Sequence, residues 1–245
     1  MVKGGNYLRV CTIATVDGIK KELVSGRTVI VIDVLRASST IVTALDFGYA
    51  SVIAVKTPNE ALALRTIHTI LAGEIHCKKI EGFDYNNSPN SIKEVDPRGN
   101  HLVLTTTNGT KAIENVKNAD KVLIGCLLNA TACVNEAIKQ NRDITVYCAG
   151  TRSEFALEDG LAAGLMVHIA KKINPEIKTC DFSDAMEACY LQLLQQIPTI
   201  LFSTTTGKRL VEHQFTDDIL YCGQVDHLKV VPYVKGNRIL SMLRT

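Results

Sequence analysis

Three clusters of polar residues in this chain have the types and spacing to act on an anionic ligand. The first, Asp33-Val34-Leu35-Arg36-Ala37-Ser38-Ser39-Thr40, follows directly on the apolar run Thr28–Ile32. An acid at the end of a strand can hold a divalent cation or attack as a nucleophile. Hydroxyls and amides at the start of the next helix suit an anion. Arg36 adds a fork of donors for phosphate or sulfonate oxygens. The plainer alternative is a helix capped by Ser38 or Ser39, with Asp33 paired to Arg36.

The second cluster is Thr105-Thr106-Thr107-Asn108-Gly109-Thr110. It combines hydroxyls, a glycine that lets the backbone approach closely, and a helix start. That suits a phosphate cradle, although it is not a Walker A loop. An Asn-Gly turn before a capped helix fits the same residues. The third is Ala149-Gly150-Thr151-Arg152, leading to Glu158-Asp159-Gly160. Arg152 can reach an anion just past a strand end. Glu158 and Asp159 can serve the helix dipole. Beside Asp33 they become candidate Mg²⁺ ligands, since Mg²⁺ takes one or two carboxylates plus waters and substrate oxygens. Glu74, after a short apolar run, can bring a further acid. The loop from Glu81 to Gly99 is long, polar and turn-rich, and could close over a polar substrate. Summed, these residues argue for phosphoryl chemistry, where positioning and charge neutralisation dominate.

The elements that position them follow from periodicity. Apolar runs rich in β-branched residues occur at Leu8–Ile13, Thr28–Ile32, Ser51–Val55, Leu102–Thr105, Lys121–Gly125 and Ile144–Cys148. Several are apolar on both faces, as buried central strands are. Between them lie helical stripes, the clearest being Met186, Cys189, Tyr190, Leu193, Leu194 and Ile197. The alternation predicts a three-layer α/β/α fold whose central sheet is largely parallel and mixed at its edge. Parallel strands share a direction, so the three clusters are expected on one edge of the sheet. After Pro198 the pattern weakens. A helix over Thr206 to His213 and short strands near Ile219–Cys222 and Lys229–Tyr233 are expected there. Residues 1–245 read as one α/β domain, with 198–245 as an optional C-terminal subdomain.

Composition narrows the function. The 245 residues are 46 % hydrophobic and 21 % charged, an ordinary globular balance. The net charge of +2, no block of five like charges and no Trp give no support to nucleic-acid binding. Eight cysteines occur without a C-x-x-C pair, which leaves a structural zinc site without support. Met1 to Tyr7 lacks the apolar core of a signal peptide, and no run approaches the ~20 residues that span a bilayer. A reduced cytoplasmic protein without a membrane partner is expected, and a homo-oligomer is compatible with the sequence. Without G-x-G-x-x-G after its first strands, a dinucleotide-dependent oxidoreductase is disfavoured. A non-catalytic anion-binding module is the other rival.

The stretches Val31–Thr40, Glu81–Pro89, Thr106–Thr110, Cys148–Arg152 and Leu157–Gly160 together resemble the 2-phosphosulfolactate phosphatase family. The resemblance implies a Mg²⁺-dependent acid phosphatase, a phosphoric monoester hydrolase. Its reaction would take 2-phospho-3-sulfolactate to 3-sulfolactate and phosphate, a step of coenzyme M synthesis; another small 2-phospho acid is the alternative substrate. It assigns Mg²⁺ to Asp33, Glu158 and Asp159, with Glu74 as a further ligand. It assigns the anionic groups to Arg36, Ser38, Ser39, Thr40, Asn108, Thr110 and Arg152, and catalysis to Asp33, Arg36 and Asp159. The family often carries Gly-Glu-Arg where this chain has Gly73-Glu74-Ile75, and Leu-Gly where it has Tyr85-Asn86. Leu35 stands where aspartate-nucleophile phosphatases place a second acid. Direct attack by water is therefore preferred over an aspartyl-phosphate.

Overall fold

The computed structural model describes residues 7–242. Residues 1–6, most of the stretch read for leader character, and residues 243–245 lie outside them. Five-residue runs of β-branched and apolar side chains form the central strands, and β2 (Thr28–Ile32) is buried at every position. The others are β1 (Arg9–Ile13), β3 (Ser51–Val55), β4 (Thr69–Ile75), β5 (Lys78–Lys79) and β6 (His101–Thr105). They continue with β7 (Lys121–Gly125), β8 (Ile144–Cys148), β9 (Lys178–Thr179), β10 (Pro232–Lys235) and β11 (Arg238–Ser241). Eight helices surround them in a three-layer α/β/α arrangement. These are α1 (Ala37–Phe47), α2 (Pro58–Ala63), α3 (Gly109–Asn115), α4 (Ala130–Lys139), α5 (Leu157–Ile173), α6 (Asp181–Leu193), α7 (Thr205–Glu212) and α8 (Thr216–Cys222).

The sheet order is β5-β4-β6-β3-β11-β10-β7-β2-β8-β1-β9. Two parallel sets are present, β4-β6-β3 and β7-β2-β8-β1-β9. β5 is antiparallel at one edge, as expected of a mixed edge. A second antiparallel pair, the β10–β11 hairpin, lies in the middle and joins the two sets. Traced through it, the sets run in opposite senses. One straight edge therefore cannot hold all three polar clusters, contrary to the reading from strand direction alone. They meet nonetheless: the Asn108 side chain donates to the Gly150 carbonyl at 3.1 Å. The hairpin makes this feasible because each of its outer junctions is a single residue pair, Tyr233 with Leu123 and Ile239 with Val52. Ladders that short let the sheet turn between the sets.

The C-terminal region departs from the sequence reading in one element. Ile219–Cys222, expected as a strand, is the end of α8. Asp217 and Asp218 in its first turn favour a helix start, and Ile219 and Cys222, three apart, bury one helical face. The strand expected at Lys229–Tyr233 is shifted to Pro232–Lys235. The helix expected at Thr206 to His213 is α7, capped by the Thr204 hydroxyl, which accepts from the Gly207 N–H at 3.0 Å. Among the described residues no helix is long and apolar enough to cross a membrane.

Candidate active site

The end of β2 and the start of α5 bring three acids together. Asp159 accepts from the Val34 N–H at 2.8 Å and from the Gly150 N–H at 2.9 Å, tying the β2–α1 and β8–α5 junctions to each other. Asp33 accepts from the Ala37 N–H through Oδ1, and its own N–H donates to the Ser38 hydroxyl. A side chain at Gly109 would come within 2.8 Å of Asp33 Oδ2, so only glycine lets α3 start here. Burial pushes Asp33 up to about 7; the Glu74 and Glu158 charges add to this, while the Ala37 N–H and Arg36 oppose it. Burial likewise holds Asp159 well above the usual carboxylate range, reinforced by the charges of Asp33 and Glu158.

These acids line a cavity of about 80 Å³ with Arg36, Glu74, His76, Cys77, Asn87, Thr106, Thr107, Asn108, Arg152 and Arg209. That is room for a small polar group, well short of the ~300–1,000 Å³ typical of larger ligands. His76, Cys77 and Arg152 hold left-handed backbone conformations, with φ of 54°, 66° and 51°. Such residues cluster where tight turns aim side chains at a site. The cations gather around Cys77: its thiol is raised by burial and by Glu74, and Arg36, Arg209 and Arg152 oppose the rise. Three lining residues keep buried polar atoms without a hydrogen-bond partner, namely Glu158 Oε2, Asn87 Oδ1 and Arg209 Nε. Buried polar groups are normally paired. Two free acceptors and one free donor at a single cavity are what a ligand carrying both anionic oxygens and a cation or hydroxyl would complete.

Of the residues expected at the site, Asp33, Arg36, Glu74, Asn108, Arg152, Glu158 and Asp159 reach the cavity. Ser38, Ser39, Thr40 and Thr110 are not among the residues that line it. Ser38 and Ser39 donate to the Val31 and Val34 carbonyls, and Thr110 donates to the Thr106 carbonyl. Thr40 is fully buried within α1. Asp33 does not form the capping ion pair with Arg36. Arg36 instead donates through Nη1 to Asp218 and through Nη2 to Asn86, both at 2.6 Å, and lies over the Phe215 ring. Asp218 also accepts from Ser88 and Asn90, so the Glu81–Gly99 loop is anchored at 86–90 and only its Asn87 lines the cavity. Sequence reasoning missed Asp218 and Arg209. The first lay just before the expected strand Ile219–Cys222, in a region with no site reading. The second lay on an expected helix, but nothing in its spacing marked it.

The sequence profile described as 2-phosphosulpholactate phosphatase matches residues 13–237. The chain belongs to that family. Relatives named "Probable 2-phosphosulfolactate phosphatase" include one from Thermotoga petrophila, 39 % identical over 222 residues (89 % of this chain, 94 % of the relative). One from Caldanaerobacter subterraneus subsp. tengcongensis is 36 % identical over 229 residues (92 % and 95 %). One from Clostridium acetobutylicum is 34 % identical over 236 residues (95 % and 100 %).

Both departures from the 2-phosphosulfolactate phosphatase pattern can now be placed. Ile75 is not among the cavity-lining residues; it lines an adjoining groove with Lys56 and Lys111. Asn86, where the family often carries glycine, accepts from Arg36 and donates to the Cys77 carbonyl at 2.9 Å. Part of the anchoring of Arg36 therefore belongs to this chain. As to a metal, among the described residues no three His, Cys, Asp or Glu side chains converge as a ligand set. Mg²⁺ asks for fewer. Glu158 Oε2 is buried without a partner, and Asp33 is surrounded by like charge that a cation would relieve. Asp159, with both oxygens already bonded to backbone N–H groups, suits an orienting role better than that of a ligand. The donor set fits a Mg²⁺ held by two carboxylates.

Proposed function

We propose that this chain is a phosphatase that hydrolyses 2-phospho-3-sulfolactate to 3-sulfolactate and phosphate, with Mg²⁺ held by Asp33 and Glu158. The observation that carries this reading is the cavity itself. Four acids and three arginines border one small space, and two buried acceptors and a buried donor are left unpaired there. The substrate carries a phosphate, a sulfonate and a carboxylate, which matches several cationic groups better than one. Mg²⁺ at the acids would neutralise charge on the phosphoryl oxygens.

Arg152, Arg209 and Asn108 hold the anionic groups and orient the substrate. Arg36, fixed by Asp218 and Asn86, sets the wall of the cavity against which they close. Water attacks phosphorus in line with the departing substrate oxygen, and Asp33 stands at the strand end to take its proton. A place in a coenzyme M type of synthesis, which consumes 3-sulfolactate, belongs to the same proposal.

The test is phosphate release from 2-phospho-3-sulfolactate, with Mg²⁺ and with chelator, for the wild type and Asp33→Asn. Release should require Mg²⁺ and fall about a thousandfold in the variant. Release that ignores the variant removes Asp33 from the chemistry. No release from folded protein removes the substrate, and other 2-phospho acids then take its place. An acid-stable, hydroxylamine-sensitive phosphoenzyme would replace water attack by attack of Asp33.

A further inference from the structure

β1 and β9 are the outer pair at one edge of the sheet, and neither contributes to the cavity lining. Their parallel register pairs Arg9 with Lys178 and Val10 with Thr179. One step further, the same register sets Cys11 beside Cys180, the residue that precedes α6. Neighbouring strands lie about 4.8 Å apart. That is inside the ~4.4–6.8 Å between α-carbons that a disulfide spans. Cys180 works to raise the Cys11 thiol and Cys11 to lower that of Cys180, as neighbouring thiols do. Both residues are half-buried, so a small oxidant can reach them.

Their surroundings differ in a way that assigns the roles. Ser183 Oγ lies 3.3 Å from Cys180 Sγ. Burial works to raise the Cys180 thiol, but the Ser183 hydroxyl and the Ser183 and Thr12 amides outweigh it and hold the thiol below its ordinary value. Cys11 is raised, by burial and by Cys180 itself. Cys180 is therefore the better thiolate and Cys11 the partner that follows. Elsewhere, Cys126, Cys133, Cys148 and Cys222 are buried from such an oxidant, while Cys77 and Cys189 are half-buried too but have no second cysteine set beside them by a strand register.

We propose that Cys11 and Cys180 form an oxidation site at which hydrogen peroxide closes a reversible disulfide between the sheet edge and the start of α6. The Cys180 thiolate attacks the peroxide oxygen, the O–O bond breaks, and one water leaves as the sulfenic acid forms. The Cys11 sulfur then displaces the hydroxyl group, its proton leaving in a second water. Two electrons pass from the two sulfurs to the peroxide, and a thiol reductant returns them. The link stiffens the layer behind the acids. Gly164 of α5 is so close to α6 that an added Cβ would lie 2.0 Å from the Met186 carbonyl, and α5 carries Glu158 and Asp159 at its start.

The test treats the full chain with hydrogen peroxide, unfolds it, counts free thiols and maps peptides. The thiols should fall from eight to six, and the peptides of Cys11 and Cys180 should be joined within one chain. The melting temperature should rise on the order of 5 °C, since the link closes a long loop. Dithiothreitol should reverse both changes. Cys180→Ser should retain all seven remaining thiols under the same treatment, whereas Cys11→Ser should stop at the sulfenic acid of Cys180 with no joined peptide, and both should keep phosphate release within about twofold. Eight surviving thiols would overturn the proposal, as would thiol loss without the joined peptides or a link only between chains. Mapping the wild type decides the matter even where a serine variant fails to fold.

Discussion

At the β2–α1 junction, Arg36 is neutralised by Asp218, bonded to Asn86 and stacked on Phe215. On α7, Arg209 donates to the Thr151 and Thr206 hydroxyls and keeps a buried Nε without a partner. Both border the same cavity. The contrast separates charge that holds a protein together from charge that remains for a ligand. An arginine whose donors face an internal carboxylate adds rigidity and little net potential. One with a donor left over is the better grip for a sulfonate or phosphate oxygen.

Four variants can break or sharpen this contrast. Arg36→Ala leaves Asp218 buried without its cation and should cost about 3–5 kcal/mol of stability, read by urea unfolding. Pairing Arg36→Met with Asp218→Leu should return most of that loss, because an apolar pair needs no desolvation compensation. Arg209→Ala should leave unfolding nearly unchanged and raise KM about 10–100-fold, the worth of a charge-assisted hydrogen bond or two. An equal stability loss in Arg36→Ala and Arg209→Ala would erase the distinction. Ile75→Arg should change kcat/KM within about threefold, because the new charge enters the groove beside the cavity.

The acids respond to pH with a defined sign, and this effect falls between those of Arg209 and Ile75. The folded-state pKa of Asp33, about 7, lies above its ordinary 3.8. The native state therefore binds its proton more tightly than the unfolded chain does. Its contribution is complete below the unfolded value and is lost as pH rises to about 7. In chelator, the stability of Asp33→Asn relative to wild type should rise from pH 4 to pH 7, followed by melting temperature. Mg²⁺ should close the gap, since a cation favours the charged carboxylate. A gap that stays flat with pH would show that the acids are compensated from within.

The parts that sequence made legible share a physical cause. β2 is a continuous β-branched run and β8 begins as one, and the polar residues after them stand out against that background. Asp33, Glu158 and Asp159 were found this way, as was Arg152. Ser38, Ser39, Thr40 and Thr110 have the same signature but turn inward, because a hydroxyl at a helix start serves backbone carbonyls as readily as a ligand. Asp218 and Arg209 stayed hidden because their importance comes from partners far away in sequence, Arg36 and Thr151. The central hairpin was hidden for the same reason. One residue pair on each side joins it to the sheet, and no local pattern records so slight a contact.

That hairpin bears on how the chain matures. Synthesis runs from the N-terminus, so β10 and β11 leave the ribosome after β1–β9 and α1–α8. Until they do, β7 and β3 each present an unpaired edge, the kind that recruits other chains. A nascent chain stalled before Pro232 would carry every residue that lines the cavity and still lack the joint between the two strand sets. Completion of the cavity thus waits on a hairpin that lines none of it.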